Sequence, residues 1–85
     1  MAHQVEIVGA AKRQLRKLSK DNQRRILVEI EKLGDNSRPH GYKQLQGEDN
    51  IFRVRVGGYR VIYEIHDRVL LVLVLTVAHR REVYR

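Results

Sequence analysis

The sequence predicts an α+β fold in two layers, ordered β-α-α-β-β-β, with a helical hairpin packed on one face of a four-stranded, mainly antiparallel sheet. Three observations carry this. Phe52-Arg53-Val54-Arg55-Val56 alternates apolar and polar residues, and after Gly57-Gly58 the chain returns as Tyr59-Arg60-Val61-Ile62-Tyr63-Glu64-Ile65, the pattern of a β-hairpin. Two segments of helical spacing precede it. An almost unbroken Val/Leu run, Val69 to Val77, follows it, and a strand apolar on both faces is usually central in its sheet.

The elements follow in chain order. His3-Gln4-Val5-Glu6-Ile7 alternates and reads as a first strand, broken by Gly9. Ala11, Leu15 and Leu18 fall at i, i+4 and i+7, one face of a first helix whose opposite face carries Lys12, Arg13, Arg16 and Lys17. Ser19 can cap a second helix by accepting a backbone N–H, with Asp21 favourable in its first turn. Gln23, Ile26, Leu27, Ile30 and Leu33 give that helix its spacing, and Gly34 reads as the left-handed residue that ends it. The two helices, with almost no linker, form an αα-hairpin. Residues 35–41 are a polar loop holding the only proline, Pro39, and Lys43, Leu45 and Gly47 lead into the β-hairpin. His66-Asp67-Arg68 reads as a tight turn before the last strand.

Two glycines suit a two-residue turn with φ > 0 at both positions. That turn sets the register: Val56 faces Tyr59, Arg55 faces Arg60, Val54 faces Val61 and Arg53 faces Ile62. Arg53, Arg55 and Arg60 then share one face, and Phe52, Val54, Val56, Tyr59, Val61 and Tyr63 the other. Like charges directly opposite each other destabilise a sheet, and no carboxylate faces this pair. An anion site, most simply for phosphate, fits arginine's planar fork. A solvated sheet face is the alternative, and the hairpin alone does not choose between them.

With 85 residues there is room for one domain, spanning 1–85. Lys and Arg number 17 against 10 Asp and Glu, a net charge of +7 that attracts polyanions, nucleic acid first and an acidic protein second. No cysteine is present, which excludes disulfides and Cys-based zinc sites. His3, His40, His66 and His79 are scattered without ligand spacing, so neither metal nor cofactor is expected. The N-terminus shows no signal peptide, and the longest apolar run, Val69 to Ala78, is too short to span a bilayer as a helix. The expectation is a cytoplasmic protein with no membrane partner.

Taken in order, Lys43-x-Leu45-x-Gly47, Phe52-Arg53-Val54-Arg55-Val56, Gly58-Tyr59-Arg60-Val61-Ile62-Tyr63 and His79-Arg80-Arg81-Glu82-Val83-Tyr84 resemble the RelE/ParE superfamily of toxins from prokaryotic type II toxin–antitoxin systems, in its RelE-like branch. The resemblance covers the whole chain. It implies a sheet in which the first strand lies beside the last. It also implies a metal-independent endoribonuclease that enters the ribosomal A site and cleaves translated mRNA, the 2′-hydroxyl attacking its own 3′ phosphate. The partners implied are the ribosome, mRNA, and a cognate RelB-like antitoxin with an acidic segment, through which the complex binds its operator DNA.

The resemblance implies site residues as well. Arg60 matches the family's catalytic arginine. Arg80 matches the second, with Arg81 the adjacent candidate, since only one of the two can share Arg60's face in a regular strand. Tyr84 matches the C-terminal aromatic, which stacks on a base or shares in proton transfer. Arg53 and Arg55 would grip the substrate backbone, and Lys43 would extend that charge. The best-studied relatives carry lysines in this row; arginine does not give up its proton, so a base drawn from the row is in doubt. His79 is a natural substitute because histidine ordinarily titrates near pH ~6.5; a structural role in the last turn is the alternative. Lys12, Arg13, Arg16, Lys17, Lys20, Arg24 and Arg25 form a second basic surface, suited to ribosomal RNA or simply solvated. Two other function classes stand beside the ribonuclease: a ParE-like gyrase-poisoning toxin of the same fold, and a basic RNA-binding module without catalysis.

Overall fold

The structure, a computed structural model, describes residues 2–79. Strand β1 (Gln4–Ile7) leads into helices α1 (Gly9–Arg16) and α2 (Lys20–Asp35), followed by β2 (Lys43–Gln44), β3 (Ile51–Val56), β4 (Tyr59–His66), a 3₁₀ turn (Asp67–Val69) and β5 (Leu71–His79). The sheet has five strands in the order β1-β5-β4-β3-β2. Only β1 pairs in parallel, with β5; the other pairings are antiparallel. The extra strand is β2, whose pairs are Lys43↔Arg53 and Gln44↔Phe52. Two residues are too few to leave a periodic signal in sequence.

Both helices cover one face. Ala11 and Leu15 of α1 and Ile26, Ile30 and Leu33 of α2 are buried with Phe52, Val56, Val61, Tyr63, Ile65, Val72, Val74 and Val77 of the sheet. The expected apolar faces of both helices therefore supply the core. Ser19 caps α2 as expected, its Oγ accepting the Asn22 N–H at 3.2 Å. The Val/Leu strand is internal, flanked by β1 and β4.

Three local expectations are corrected. Gly34 does not end α2; it lies inside it, buried, and the helix runs to Asp35 with an extended Asn36 after it. The glycine is needed for space: a Cβ there would stand 2.9 Å from the His3 carbonyl oxygen, and His3 N–H donates to the Gly34 carbonyl at 2.6 Å. The hairpin turn has positive φ only at Gly57, at 60°, so it needs one left-handed residue rather than two, and the register is unaffected. The last strand begins at Leu71, not Val69: Val69 is 70% exposed in the 3₁₀ turn, and Leu70 takes a left-handed φ of 52° to bring the chain back.

A bulge in β5 decides which side chains face where. Ile62 pairs with Thr76 but Tyr63 pairs with Val74, leaving Leu75 extra. Before it, Val72 and Val74 face the helices. After it the parity flips, so Val77 does too, while Thr76 and Ala78 share the uncovered face. Beyond the reach of β1, the Val77 N–H is satisfied by Gln14 Oε1 of α1 at 2.7 Å. The Tyr63 side chain is fully buried; its hydroxyl donates to the Ser37 carbonyl at 2.9 Å and burial pushes its pKa up to about 12. Among the described residues, no helix is long and apolar enough to cross a membrane.

Two outcomes follow. Alanine gains about 1 kcal/mol over glycine from helix propensity, but overpacking against backbone costs about 1–3 kcal/mol, so Gly34→Ala should lower stability in urea unfolding. Tyr63 is held neutral in the folded state, so its contribution is complete below its ordinary value of 10.0 and is lost as pH rises toward about 12. The urea midpoint should therefore fall more steeply between those values in the natural protein than in Tyr63→Phe.

Candidate functional site

The uncovered face of the sheet carries the charge. Arg55 stands opposite Arg60, and Arg60 opposite Ala78, in one cross-strand row. In the next, Lys43 stands opposite Arg53, Arg53 opposite Ile62, and Ile62 opposite Thr76. The Ile51 carbonyl accepts from the Leu45 N–H at 2.8 Å, so the odd-numbered residues of β3 turn their backbone groups toward β2. Arg55 and Arg60 are then a non-hydrogen-bonded pair, the kind whose side chains lie closer together. Small Ala78 on one side leaves room for Arg60, which is only 4% exposed, with its Nε fully out of solvent. Arg53 is half-buried, and Arg55 and Lys43 are exposed.

The nearest carboxylate of β4 on this face, Glu64, is four residues along the strand, opposite Ile51, and meets His66 at 2.8 Å. That is about 13 Å from Arg60 at strand rise. Half-buried Ile62 and Leu75 lie between the basic end and a row in which Leu73 stands between Glu6 and Glu64, and half-buried Leu71 lies beyond that row, opposite His66. The face is thus basic at the hairpin tip and apolar along β5, with two carboxylates flanking Leu73 away from the arginines.

His79 lies on the opposite face. It pairs with Tyr59, their rings meeting edge to face at 5.5 Å, beside Gln14, Lys17 and Leu18 of the helical layer. The bulge at Leu75 puts it there. Arg80, Arg81 and Tyr84 lie outside the described residues. Lys12, Arg13, Arg16, Lys17, Lys20, Arg24 and Arg25 are exposed on the helices. Arg25 departs from the rest: its guanidinium lies over Gly57 of the hairpin turn, within 3.4 Å of where a Cβ would stand.

Sequence reasoning missed two features. One is His40, which lines both a cleft of about 530 Å³ between α2 and β3 and a smaller one of about 240 Å³ with Lys43, Arg53 and Arg55. It sits where β2 has not yet begun, so the spacing of residues gave no hint of it. The other is the Asp67 carboxylate, which joins Arg38 at 2.8 Å and His3 at 3.0 Å. The Arg38 guanidinium, then His3, hold that carboxyl below the usual range. This ties the N-terminus and the loop after α2 to the β4–β5 turn.

A family model described as the ParE toxin of the type II toxin–antitoxin system parDE matches residues 5–84. The chain belongs to the RelE/ParE superfamily of type II toxins. Among solved structures, it is similar to a RelE–RelB complex from the archaeon Pyrococcus horikoshii, at 27% identity over 94% of this chain and 97% of that one, with a TM-score of 0.83. It is similar at 30% identity to a RelBE toxin–antitoxin complex from Mycobacterium tuberculosis, over 94% of this chain and 100% of that one, TM-score 0.80. The isolated RelE toxin of E. coli shares the fold at 24% identity over 98% of this chain and 92% of that one, TM-score 0.80. No curated protein matches the chain. The expected two-layer α+β arrangement, with the first strand beside the last, is present with one short strand more than expected, and the fold is shared with these RelE chains.

The Arg55–Arg60 juxtaposition has a consequence for stability. Cross-strand pairs are worth about 0.2–1 kcal/mol, so Arg55→Thr, which removes one charge and adds a β-former, should raise the urea midpoint while weakening any polyanion binding.

Proposed function

We propose that this toxin, a single domain over residues 1–85, is a ribosome-dependent, metal-independent mRNA endoribonuclease that acts in the cytoplasm. The observation that supports it most is the arginine pair: a buried Arg60 opposite Arg55, beside Arg53 and Lys43, on a rigid sheet. Cleavage by the 2′-hydroxyl passes through a pentavalent phosphorane with extra negative charge. Fixed cations aimed at that charge need no reorganisation when it develops. Arg60 stabilises the phosphorane with Arg55 beside it on the same phosphate, and Arg53 and Lys43 hold the flanking phosphates. Arg80 or Arg81, with Tyr84, completes the set on resemblance alone. Lys12, Arg13, Arg16, Lys17, Lys20 and Arg24 contact ribosomal RNA without reading sequence.

The Pyrococcus and Mycobacterium relatives were solved as toxin–antitoxin complexes. By extension this chain is neutralised by a RelB-like antitoxin that lays apolar residues on Leu71, Leu73 and Leu75 and acidic ones on the arginine end, and the complex binds operator DNA through the antitoxin. The description of the matching family model favours a second reading, a ParE-like gyrase poison. A basic module without catalysis would tolerate Arg60→Lys.

Expression without antitoxin should stop growth and produce mRNA ends within translated codons. Arg60→Ala should lose far more cleavage rate than ribosome affinity. Lys12→Ala and Arg13→Ala should instead weaken binding and flatten its salt dependence. Gyrase-dependent DNA breaks with intact mRNA would overturn this reading in favour of the second. Full toxicity of Arg60→Ala at equal folded abundance would remove Arg60 from the site.

A further inference from the structure

The proposed cleavage needs a group that takes a proton from the attacking 2′-hydroxyl, and the arginines beside it are donors only. Lysine accepts a proton near neutrality where burial or a neighbouring cation disfavours its ammonium; Lys43 stands opposite Arg53 but is exposed, so water screens that charge. Tyr84, to which the resemblance gives a share in proton transfer, lies outside the described residues; among those described, histidine is the side chain whose ordinary titration lies nearest neutral pH. Three of the four histidines are engaged elsewhere. His3 meets Asp67 at 3.0 Å at the far end of the sheet. His66 meets Glu64 at 2.8 Å. His79 packs on Tyr59 on the helical side.

His40 differs. It shares the 240 Å³ cleft with Gly41, Lys43, Arg53 and Arg55. The cleft exists because β2 reaches only Lys43, opposite Arg53, so the edge of β3 beyond it is open at Arg55. Arg55 is in turn the cross-strand neighbour of Arg60. His40 thus shares a cleft with Arg55, and Arg55 connects that cleft to Arg60 along the cross-strand row. Gly41 next to it holds a φ of 88°, a left-handed turn that leads the chain from the loop into β2. The side chain is exposed and reachable by a substrate.

Resting on the ribonuclease reading, we propose that His40 is the general base of this site. Its neutral imidazole takes the proton from the 2′-hydroxyl as the O2′–P bond forms. The P–O5′ bond breaks, its electron pair leaves with O5′, and that oxygen takes a proton from water. The imidazolium then returns its proton to solvent. The charged groups facing His40 are Lys43 of β2 and Arg53 and Arg55 of β3 on one side. On the other, across the larger cleft, are Glu29, Lys32 and Asp35 of α2, with Arg25 beside Gly57.

The test is single-turnover mRNA cleavage on ribosomes from pH 5.5 to 8.5 with the full chain, His40→Ala and His79→Ala. His40→Ala should cost about 10²–10⁴-fold in rate, the range for general-base catalysis. It should also lose the acid limb on which the natural protein slows as imidazole protonates, and added imidazole should restore part of the rate. Ribosome binding should be unchanged. A His40→Ala rate within twofold of the natural protein with the limb intact, or loss of the limb in His79→Ala alone, overturns the assignment. A second measurement separates this from the ribonuclease reading itself. In the free protein, the His40 ring signals should shift on titration with a short 2′-O-methyl RNA, together with the Arg55 Nε signal, and His79 should not. Failure of the natural protein to cleave removes the ribonuclease reading, whereas unmoved His40 signals remove His40 from the site even if cleavage is found.

Discussion

The pairing of Arg55 with Arg60 across a two-residue turn is the constraint on which the site depends. Gly57 supplies the one left-handed residue that turn requires. Once it closes, period-two alternation leaves no freedom: Val54, Val56, Val61 and Tyr63 face the helices, and the arginines face away. Burying the apolar row thereby forces two like charges together. Slipping by one residue would relieve the repulsion only by turning the core row outward. Hydrophobic burial of several side chains, each worth about 1.5–3 kcal/mol, outweighs a cross-strand charge penalty of about 1 kcal/mol or less.

The rest of the molecule holds that hairpin still. β5 lies against β4 along its whole length, and the bulge at Leu75 lets Val77 join the core while Ala78 leaves room for Arg60. On the other side, Arg38 lies 5.9 Å from the Phe52 ring centroid and reaches Asp67. Tyr42, Phe52 and Tyr63 form a run of aromatic contacts beneath the same loop. The loop that carries His40 is therefore tied to the sheet at both ends rather than hung from it. A site meant to meet a developing charge gains from such stiffness, because dipoles and cations that need not move stabilise the transition state most.

Much of this was legible in the sequence for identifiable reasons. Long amphipathic segments announce themselves, so the helices, their buried faces and the Ser19 cap could be read directly. The hairpin could be read because alternation and the Gly57-Gly58 pair agree. What could not be read depends on contacts between distant segments. Gly34 looks like a helix end until the His3 carbonyl is seen against it. Leu75 carries no mark of a bulge, yet it decides that His79 faces Tyr59 rather than Arg60. β2 exists only as a partner of β3, and His40 gains its place from where that short strand begins. Local chemistry fixed the elements; long-range approach fixed which of the basic and imidazole groups meet.

The central claim is that Arg55 and Arg60, forced together by the buried apolar row, act on one phosphate. A double-mutant cycle of Arg55→Ala and Arg60→Ala, read as single-turnover cleavage rate on ribosomes, tests it most directly. Residues acting as a unit are non-additive, so the double variant should be scarcely slower than Arg60→Ala alone when the variants are compared at equal folded abundance. Losses that simply add, or a double variant that cleaves at the natural rate, would contradict the account.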